Sequence, residues 1–311
     1  MFFSMRTRNQ LAARLTTIAT IFVMSGCVQA STQAQGRPVV KRPLEYIGSW
    51  GVKGDGPGQL DDPASIATGA VGNVYIADAG SLFIHKYDPL GTPLLAFQQD
   101  GLNNPQWIAV DRGGAMYVSD PARGSVFIFF PDGDRYRELR LRGRRSSENS
   151  VSMAIGDNGL IHVLDSDAGK VFDYTPRRFQ RAWQPAGCGR NPGPIVAGPD
   201  GSLYIGDPAN NRIQRYTAEG RYVSSIGPGT GKGPKLSREF AVSNSGVFVM
   251  DADGRILHVY TPDNRVKHEL DLAPELGQGS RPAPSLAISP NQDLLVLDAP
   301  ETRVLRYHIN F

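Results

Sequence analysis

An aspartate closes a short apolar run six times in this chain, at Asp78, Asp120, Asp165, Asp207, Asp251 and Asp298, with spacings of 42, 45, 42, 44 and 47 residues. Each is flanked at fixed distances. Two residues before it stands a β-branched side chain (Ile76, Val118, Val163, Ile205, Val249, Val296), and six after it an aliphatic one (Ile84, Val126, Val171, Ile213, Leu257, Val304). Nine after it comes an aromatic every time: Tyr87, Phe129, Tyr174, Tyr216, Tyr260 and Tyr307. Such a pattern marks one supersecondary unit used repeatedly, and a unit of this size cannot bury its apolar face without neighbours. A period in the forties built from short β-rich runs is that of four-stranded propeller blades, so the expected fold is all-β, a six-bladed β-propeller. Composition agrees where it bears on this: 35 Gly and 23 Pro among 311 residues demand many turns, 40% apolar residues suffice for a core, and 2 Cys exclude a disulfide scaffold.

Each unit reads strand by strand from the axis outward. An apolar strand A, such as Trp107-Ile108-Ala109-Val110, leads through a turn holding Gly72, Gly114, Gly159 or Gly201 into strand B, which ends at the aspartate. That carboxylate is placed to accept backbone N–H groups of the next turn, which makes it structural. Strand C ends near the aromatic, and Gly91, Gly133, Gly220 or Asn264, residues that tolerate positive φ, turn the chain into strand D. The last unit runs out at Phe311 after strand C, while Tyr46-Ile47-Gly48-Ser49-Trp50-Gly51 matches Tyr222-Val223-Ser224-Ser225-Ile226-Gly227, a strand D, position by position. The N-terminal segment is therefore expected to supply strand D of the last blade and close the ring.

The runs Gly54-Asp-Gly-Pro-Gly-Gln-Leu60-Asp-Asp-Pro63, Gly72-Asn73-Val74-Tyr75-Ile76-Ala77-Asp78 and Asp207-Pro-Ala-Asn210-Asn211-Arg212-Ile213 resemble the NHL-repeat family. The resemblance covers about residues 43–311 and is strongest in units one and four. Arg212 and Arg303 alone keep the arginine of the Asn-Arg-Ile consensus. It implies a six-bladed propeller with a central channel.

Residues 1–26 read as an export signal: Arg6, Arg8 and Arg14 precede or open an apolar stretch, Leu15 to Met24, too short to span a bilayer. The stretch closes with Met24-Ser25-Gly26-Cys27, which resembles the bacterial lipobox and implies acylation of Cys27; ordinary cleavage near Ala30 or Ala34 is the alternative. Residues 27–42 then form a polar tether and 43–311 the propeller. The formal charge of +3 rests on the three arginines of the signal, so the mature chain is formally neutral and nucleic acid is not an expected partner.

Strand A begins with Ser65, Trp107, Ser152, Pro194, Glu239 and Ser285 in the six units, with Gln106 and Arg238 adjacent. Ser65, Gln106, Trp107, Ser152, Arg238, Glu239 and Ser285 are the candidate ligand-binding residues of a channel mouth, suited to a sugar or a peptide end; plugging of the axis is the alternative. Propellers of similar architecture include zinc-dependent lyases that cleave peptidyl hydroxyglycine and metal-dependent lactonases. Here His85 and His258 fall on strand C, His162 on strand B, His268 on an outer strand and His308 at the C-terminus. None lies on an innermost strand, so neither a three-histidine zinc site nor a Ser–His pair is expected, and no catalytic residue, metal ligand or cofactor is assigned.

Gly227-Pro-Gly-Thr-Gly231-Lys232-Gly233 departs from the phosphate-loop register and reads as a blade-to-blade loop. In the cationic run Arg135, Arg137, Arg140, Arg142, Arg144 and Arg145, Arg140 and Arg142 alternate with Leu139 and Leu141 on an outermost strand, where charge protects the edge from pairing; binding of anionic lipid or polysaccharide is the alternative. Cys188 reads as an inert thiol. The function these features favour is a non-enzymatic binding or scaffold module of the bacterial cell envelope. It would be lipid-anchored at Cys27, in the outer membrane facing the periplasm or at the cell surface, with a protein or glycan partner. A channel-sited lyase or lactonase-type hydrolase, with or without a metal, is the alternative.

Overall fold

The computed structural model describes residues 42–142, 151–276 and 285–311. The export signal, Cys27, nearly all of the tether, and Arg144 and Arg145 lie outside these residues. The described chain forms six antiparallel four-stranded sheets and, besides strands, only two 3-10 turns, Pro121–Arg123 and Pro208–Asn210. The protein is an all-β, six-bladed β-propeller. Every strand B ends at the repeated aspartate, as in Val74–Asp78 and Leu203–Asp207. In five sheets the strands lie in chain order. In the sixth, Leu44–Trp50 lies outside Arg303–Ile309, followed by Asp293–Asp298 and Ser285–Ile288. This first strand carries a bulge between Tyr46 and Gly48, and Trp50 meets Tyr87 of blade 1 with ring centroids 4.6 Å apart.

The apolar side chains collect between blades, and six clusters fill the six junctions of the ring. Ile66, Ile76 and Tyr87 of blade 1, for instance, pack with Leu295 and Leu297 of blade 6, and Phe129 of blade 2 packs with Tyr75 and Ala77 of blade 1. All six repeated aromatics lie in the cluster shared with the preceding blade, which is why no unit dispenses with one. Each fully buried aliphatic side chain there contributes about 1.5–3 kcal/mol, a gain an isolated blade would forfeit.

The repeated aspartates do more than cap the turn into strand C. Asp78 accepts from Gly80 and Ser81 N–H in that turn, and also from Asp61 and Asp62 N–H in the loop leading into strand A. Asp120 likewise holds Arg123 and Asn103 N–H, and Asp207 holds Gly189 N–H. Each of these carboxylates ties two loops of one face together. Arg212 and Arg303 ion-pair with the aspartate of their own blade, Asp207 and Asp298, at 3.0 Å in both cases. Burial pushes the Asp207 carboxyl up, but hydrogen bonds from Asn210, Gln214, Gly189 and Arg212 outweigh that and hold it below the usual range.

Candidate functional site

The innermost strands are Pro63–Thr68, Trp107–Val110, Val151–Ile155, Ile195–Ala197, Leu236–Ser243 and Ser285–Ile288. Their side chains follow the two-residue alternation of a strand. Ile66, Ile108, Met153, Ile195, Phe240 and Leu286 are buried against the preceding blade. One residue later stand Ala67, Ala109, Ala154, Val196, Ala241 and Ala287, facing the next blade. Blades converge at the axis, so only small side chains fit there. That row of five alanines and one valine is a signal in the sequence that locates the axis more sharply than the polar residues do.

One residue before the buried row stand the candidate mouth residues, and most of them reach sideways rather than into open space. Ser65 Oγ accepts from Ile108 N–H at 2.8 Å, and Ser152 Oγ from Ile195 N–H at 3.0 Å. Trp107 Nε1 donates to Met153 O at 2.8 Å. Each of these three contacts runs to the backbone of the buried-row residue on the next blade's inner strand. Ser65 and Ser152 are 1% and 6% exposed, so these two serines are joints between blades and not channel surface. Pro194 has no side-chain donor to offer. Glu239 makes the same sideways reach to Ser285, whose hydroxyl hydrogen-bonds its carboxylate.

Three cavities follow one another along the axis. The upper one, about 590 Å³, lies where the inner strands begin and is lined by Gln106, Glu239 and Ser285 together with Lys53, Asp61 and Asp62. The central one, about 230 Å³, shares Glu239 and Ser285 with it and includes the half-buried indole of Trp107. The lower one, about 740 Å³, is ringed by the turns between strands A and B, among them Asp111, Arg112 and Asp157. The structure thus brings Gln106, Glu239 and Ser285 into one cavity and Trp107 just beneath it. Arg238 is exposed beside them. Lys53, Asp61 and Asp62 were not foreseen as neighbours of these residues; they belong to the loop that runs from the closing strand into blade 1, and only ring closure carries that loop to the mouth.

Glu239 is the distinctive group of the upper cavity. Burial pushes its carboxyl up to about 7, against the opposing pull of Arg238 and the Ser285 hydroxyl. A carboxyl that titrates near neutrality at the wall of a cavity can hold a hydrogen-bonded ligand in either protonation state, or move a proton. Gln106 Nε2 is held by Asn104 Oδ1 at 2.6 Å, leaving its carbonyl oxygen for a donor.

The histidines stand away from this site. His85, His162 and His258 are buried in the blades; His162 Nδ1 pairs with Asp173 Oδ1 at 2.7 Å, and Arg181 and Trp183 bond the same carboxylate. Among the described residues, no group of three His, Cys, Asp or Glu is placed to hold a metal ion. The Cys188 thiol is pushed up to about 11 by burial. The loop from Gly227 runs into strand Leu236–Ser243 rather than a helix, and Asn211 clamps it through Gly229 O, Pro234 O and Leu236 N–H.

The closed ring, its axial cavities and its polar upper mouth define a six-bladed propeller with a ligand-sized recess at one end. No family model matches the chain, and no curated protein does. Among solved structures it is similar to a streptogramin B lyase, with a TM-score of 0.63 and 14% identity over 86% of this chain and 97% of that one. It is also similar to virginiamycin B lyase from Staphylococcus aureus. A catalytically inactive variant with quinupristin gives a TM-score of 0.61 at 15% identity, and a selenomethionine form 0.59 at 16%, each covering 86% of this chain and 89% of the other. At these identities the likeness is one of fold.

Proposed function

We propose that this chain is an exported, lipid-anchored NHL-type propeller of the bacterial cell envelope that binds a polar ligand, a segment of an envelope protein or a glycan, in the upper cavity. The observation that carries the reading is the convergence of Glu239, Ser285, Gln106 and Lys53 on one recess of about 590 Å³, which offers a carboxyl, a hydroxyl, an amide and an ammonium to a ligand rich in hydroxyl or amide groups. The hydrogen bonds that tie inner strands together through Ser65, Trp107 and Ser152 stiffen the wall of the axis, so binding orders little of the protein. The Arg212–Asp207 and Arg303–Asp298 pairs support the NHL resemblance. Cys27 is the proposed acylated residue, and the outer membrane, facing the periplasm or the cell surface, the proposed location. Retention of membrane proteins and soluble cell-wall fragments on immobilised protein tests the reading. Glu239→Ala with Gln106→Ala is expected to lower retention at least tenfold, and unchanged retention would refute it. Acylation is tested separately, by mass spectrometry of the mature N-terminus against Cys27→Ala.

A second reading, a channel-sited lyase or hydrolase, is favoured by one observation: the Glu239 carboxyl lies close to neutrality, where a general acid or base is most effective. The fold likeness to proteins named streptogramin B lyase and virginiamycin B lyase adds to it. Incubation with quinupristin and with simple lactones, followed by chromatography, decides. A product formed by the parent and not by Glu239→Gln would establish an activity; its absence leaves the binding role.

A further inference from the structure

The large apolar side chains that the described residues expose are not scattered. Of eleven, ten lie at one end of the propeller, the end opposite the Glu239 cavity. Val71, Leu90 and Phe130 are in or beside the turns joining strands A to B and C to D, and Val71 and Leu90 are 77% and 71% exposed. The others lie toward the beginnings of outer strands, in register with one another: Tyr46, Tyr222 and Val266 each pair with the repeated aromatic of their own blade, and Ile47, Leu94, Tyr136 and Val223 follow at the next place or its equivalent. Together they form a discontinuous belt around the rim of the lower face, present on five of the six blades. Single exposed apolar residues need no explanation, but their confinement to one end does.

Cations accompany the belt. Arg135 and Arg137 flank Tyr136, with the Arg137 guanidinium 5.7 Å from its ring centroid, and Arg177 and Arg178 are exposed in the corresponding turn of blade 3. Acids share these turns: Asp88 accepts from Leu90 and Thr92 N–H, Asp111 from Gly113 and Ala115 N–H, Glu219 and Asp263 ion-pair with Arg221 and Arg265, and Asp132 and Asp134 are exposed beside Phe130. Aromatic and aliphatic tips beside arginines, on turns rather than in a groove, match the headgroup boundary of a bilayer, where amphipathic rings and cations are favoured.

The chain enters the propeller at the same end. Leu44–Trp50 starts beside Ile309, at the foot of the last blade, and Arg42, the first described residue, accepts from Asn310 Nδ2 there, so the described chain begins at the lower face. The fifteen peptide units between Cys27 and Arg42 limit their separation to about 50 Å, the length of a fully extended chain. We infer that the lower face of the propeller, the turns and strand starts that carry Val71, Leu90, Phe130 and Tyr136, rests on the membrane surface, and that the Glu239 cavity points away from it. The inference rests on the proposed anchor for its direction but not for its chemistry. It orients the binding mouth toward the aqueous compartment, where a partner can reach it.

The test uses full-length mature protein in vesicles of phosphatidylethanolamine and phosphatidylglycerol. On a Cys188→Ser background, environment-sensitive labels are placed through Val71→Cys, Leu90→Cys and Tyr136→Cys on the lower face, and through Asp55→Cys and Asp253→Cys on the upper. The lower labels are expected to shift to shorter wavelength and to be quenched several-fold more strongly by doxyl lipids. Equal quenching at both ends would overturn the inference, as would shielding of the lower labels in the absence of vesicles, which would assign that face to a second copy or a protein. A Cys27→Ala protein held to nickel-chelating lipid by an N-terminal histidine tag gives the same readout without acylation. A failed anchor and a failed orientation are thereby told apart.

Discussion

Gly220 lies flat against the indole of Trp183: a Cβ at position 220 would stand 2.7 Å from Trp183 Cδ2. Gly220 turns strand C into strand D of blade 4 at φ +82°, and Trp183 is the last residue of strand D in blade 3. Gly91 faces Trp50 and Gly133 faces Phe97 in the same way. The turn glycine therefore serves two ends at once, a left-handed backbone and a seat for the neighbouring blade's aromatic.

Gly220→Ala is expected to destabilise the protein by about 2–4 kcal/mol, combining the left-handed backbone with an overpacked junction. Gly124→Ala serves as the control: it also has positive φ, +62°, but nothing lies within 4 Å of its would-be Cβ, so about 1 kcal/mol is expected. Urea unfolding with unchanged m-values reads both. Equal costs would show that the aromatic seat contributes nothing.

Burial pushes the His85 imidazole from 6.5 down to about 4, against the pull of the Asp78 carboxylate 4.0 Å away. Between those values the unfolded chain binds the extra proton, so this contribution to stability is complete above about pH 6.5. It is lost as pH falls toward 4, by up to about 3 kcal/mol. His85→Leu is expected to flatten that slope and to remove two ring nitrogens that find no partner in the blade. Melting curves from pH 7 to 4.5 check this; an unaltered slope in the variant would assign the acid sensitivity elsewhere.

Glu239 carries the opposite sign. Its carboxyl is raised from 4.5 to about 7, so the folded chain holds the extra proton across that window. Stability then falls as pH rises from about 4.5 to 7 and levels off above. About 3 kcal/mol is the ceiling, reduced by water entering the cavity. Glu239→Gln is expected to abolish the slope and to melt above the parent at pH 8. A variant less stable than the parent at pH 8 would mean that the carboxylate is held ionised.

Ser65→Ala removes the acceptor for the buried N–H of Ile108, and Ser152→Ala does the same to Ile195. Each is expected to cost about 1–3 kcal/mol and to hasten hydrogen exchange at that one amide, with the ligand-binding cavity unaffected. Loss of ligand retention in either variant at full stability would return these serines to the binding surface.

Deleting residues 41–51 strips the outer edge from Arg303–Ile309 and uncovers Tyr87 and Tyr307, which Trp50 and Tyr46 cover. The expected product is unfolded or associates through the open edge. A monomer that melts at the parental temperature would show the ring to be self-sufficient without its closing strand.

Much of the blade was legible because each of its landmarks answers to a local rule. Asp78 must end a strand where a turn needs an acceptor, Gly91 must sit where φ is positive, and Tyr87 recurs because every junction needs one large ring. The second duty of the aspartates, holding the loop into strand A, was not legible, since Asp61 and Asp62 meet Asp78 only across the sheet. The site divides in the same way. Glu239, Ser285 and Gln106 share a cavity, while Ser65 and Ser152, at equivalent places in the repeat, are consumed by neighbouring strands. A repeat position specifies where a residue begins, not which way its side chain must turn to satisfy a neighbour.

The amino-acid order by itself determined the number of blades, the strand ends and the turns, because these depend on periodicity and on backbone preferences that act within a few residues. The tertiary structure alone decided which polar groups remain available. Lys53 arrives beside Glu239 from the far side of the closing joint, and the exposed apolar residues of five blades come to share one face. Both are consequences of bending a linear repeat into a ring, and no local rule contains them.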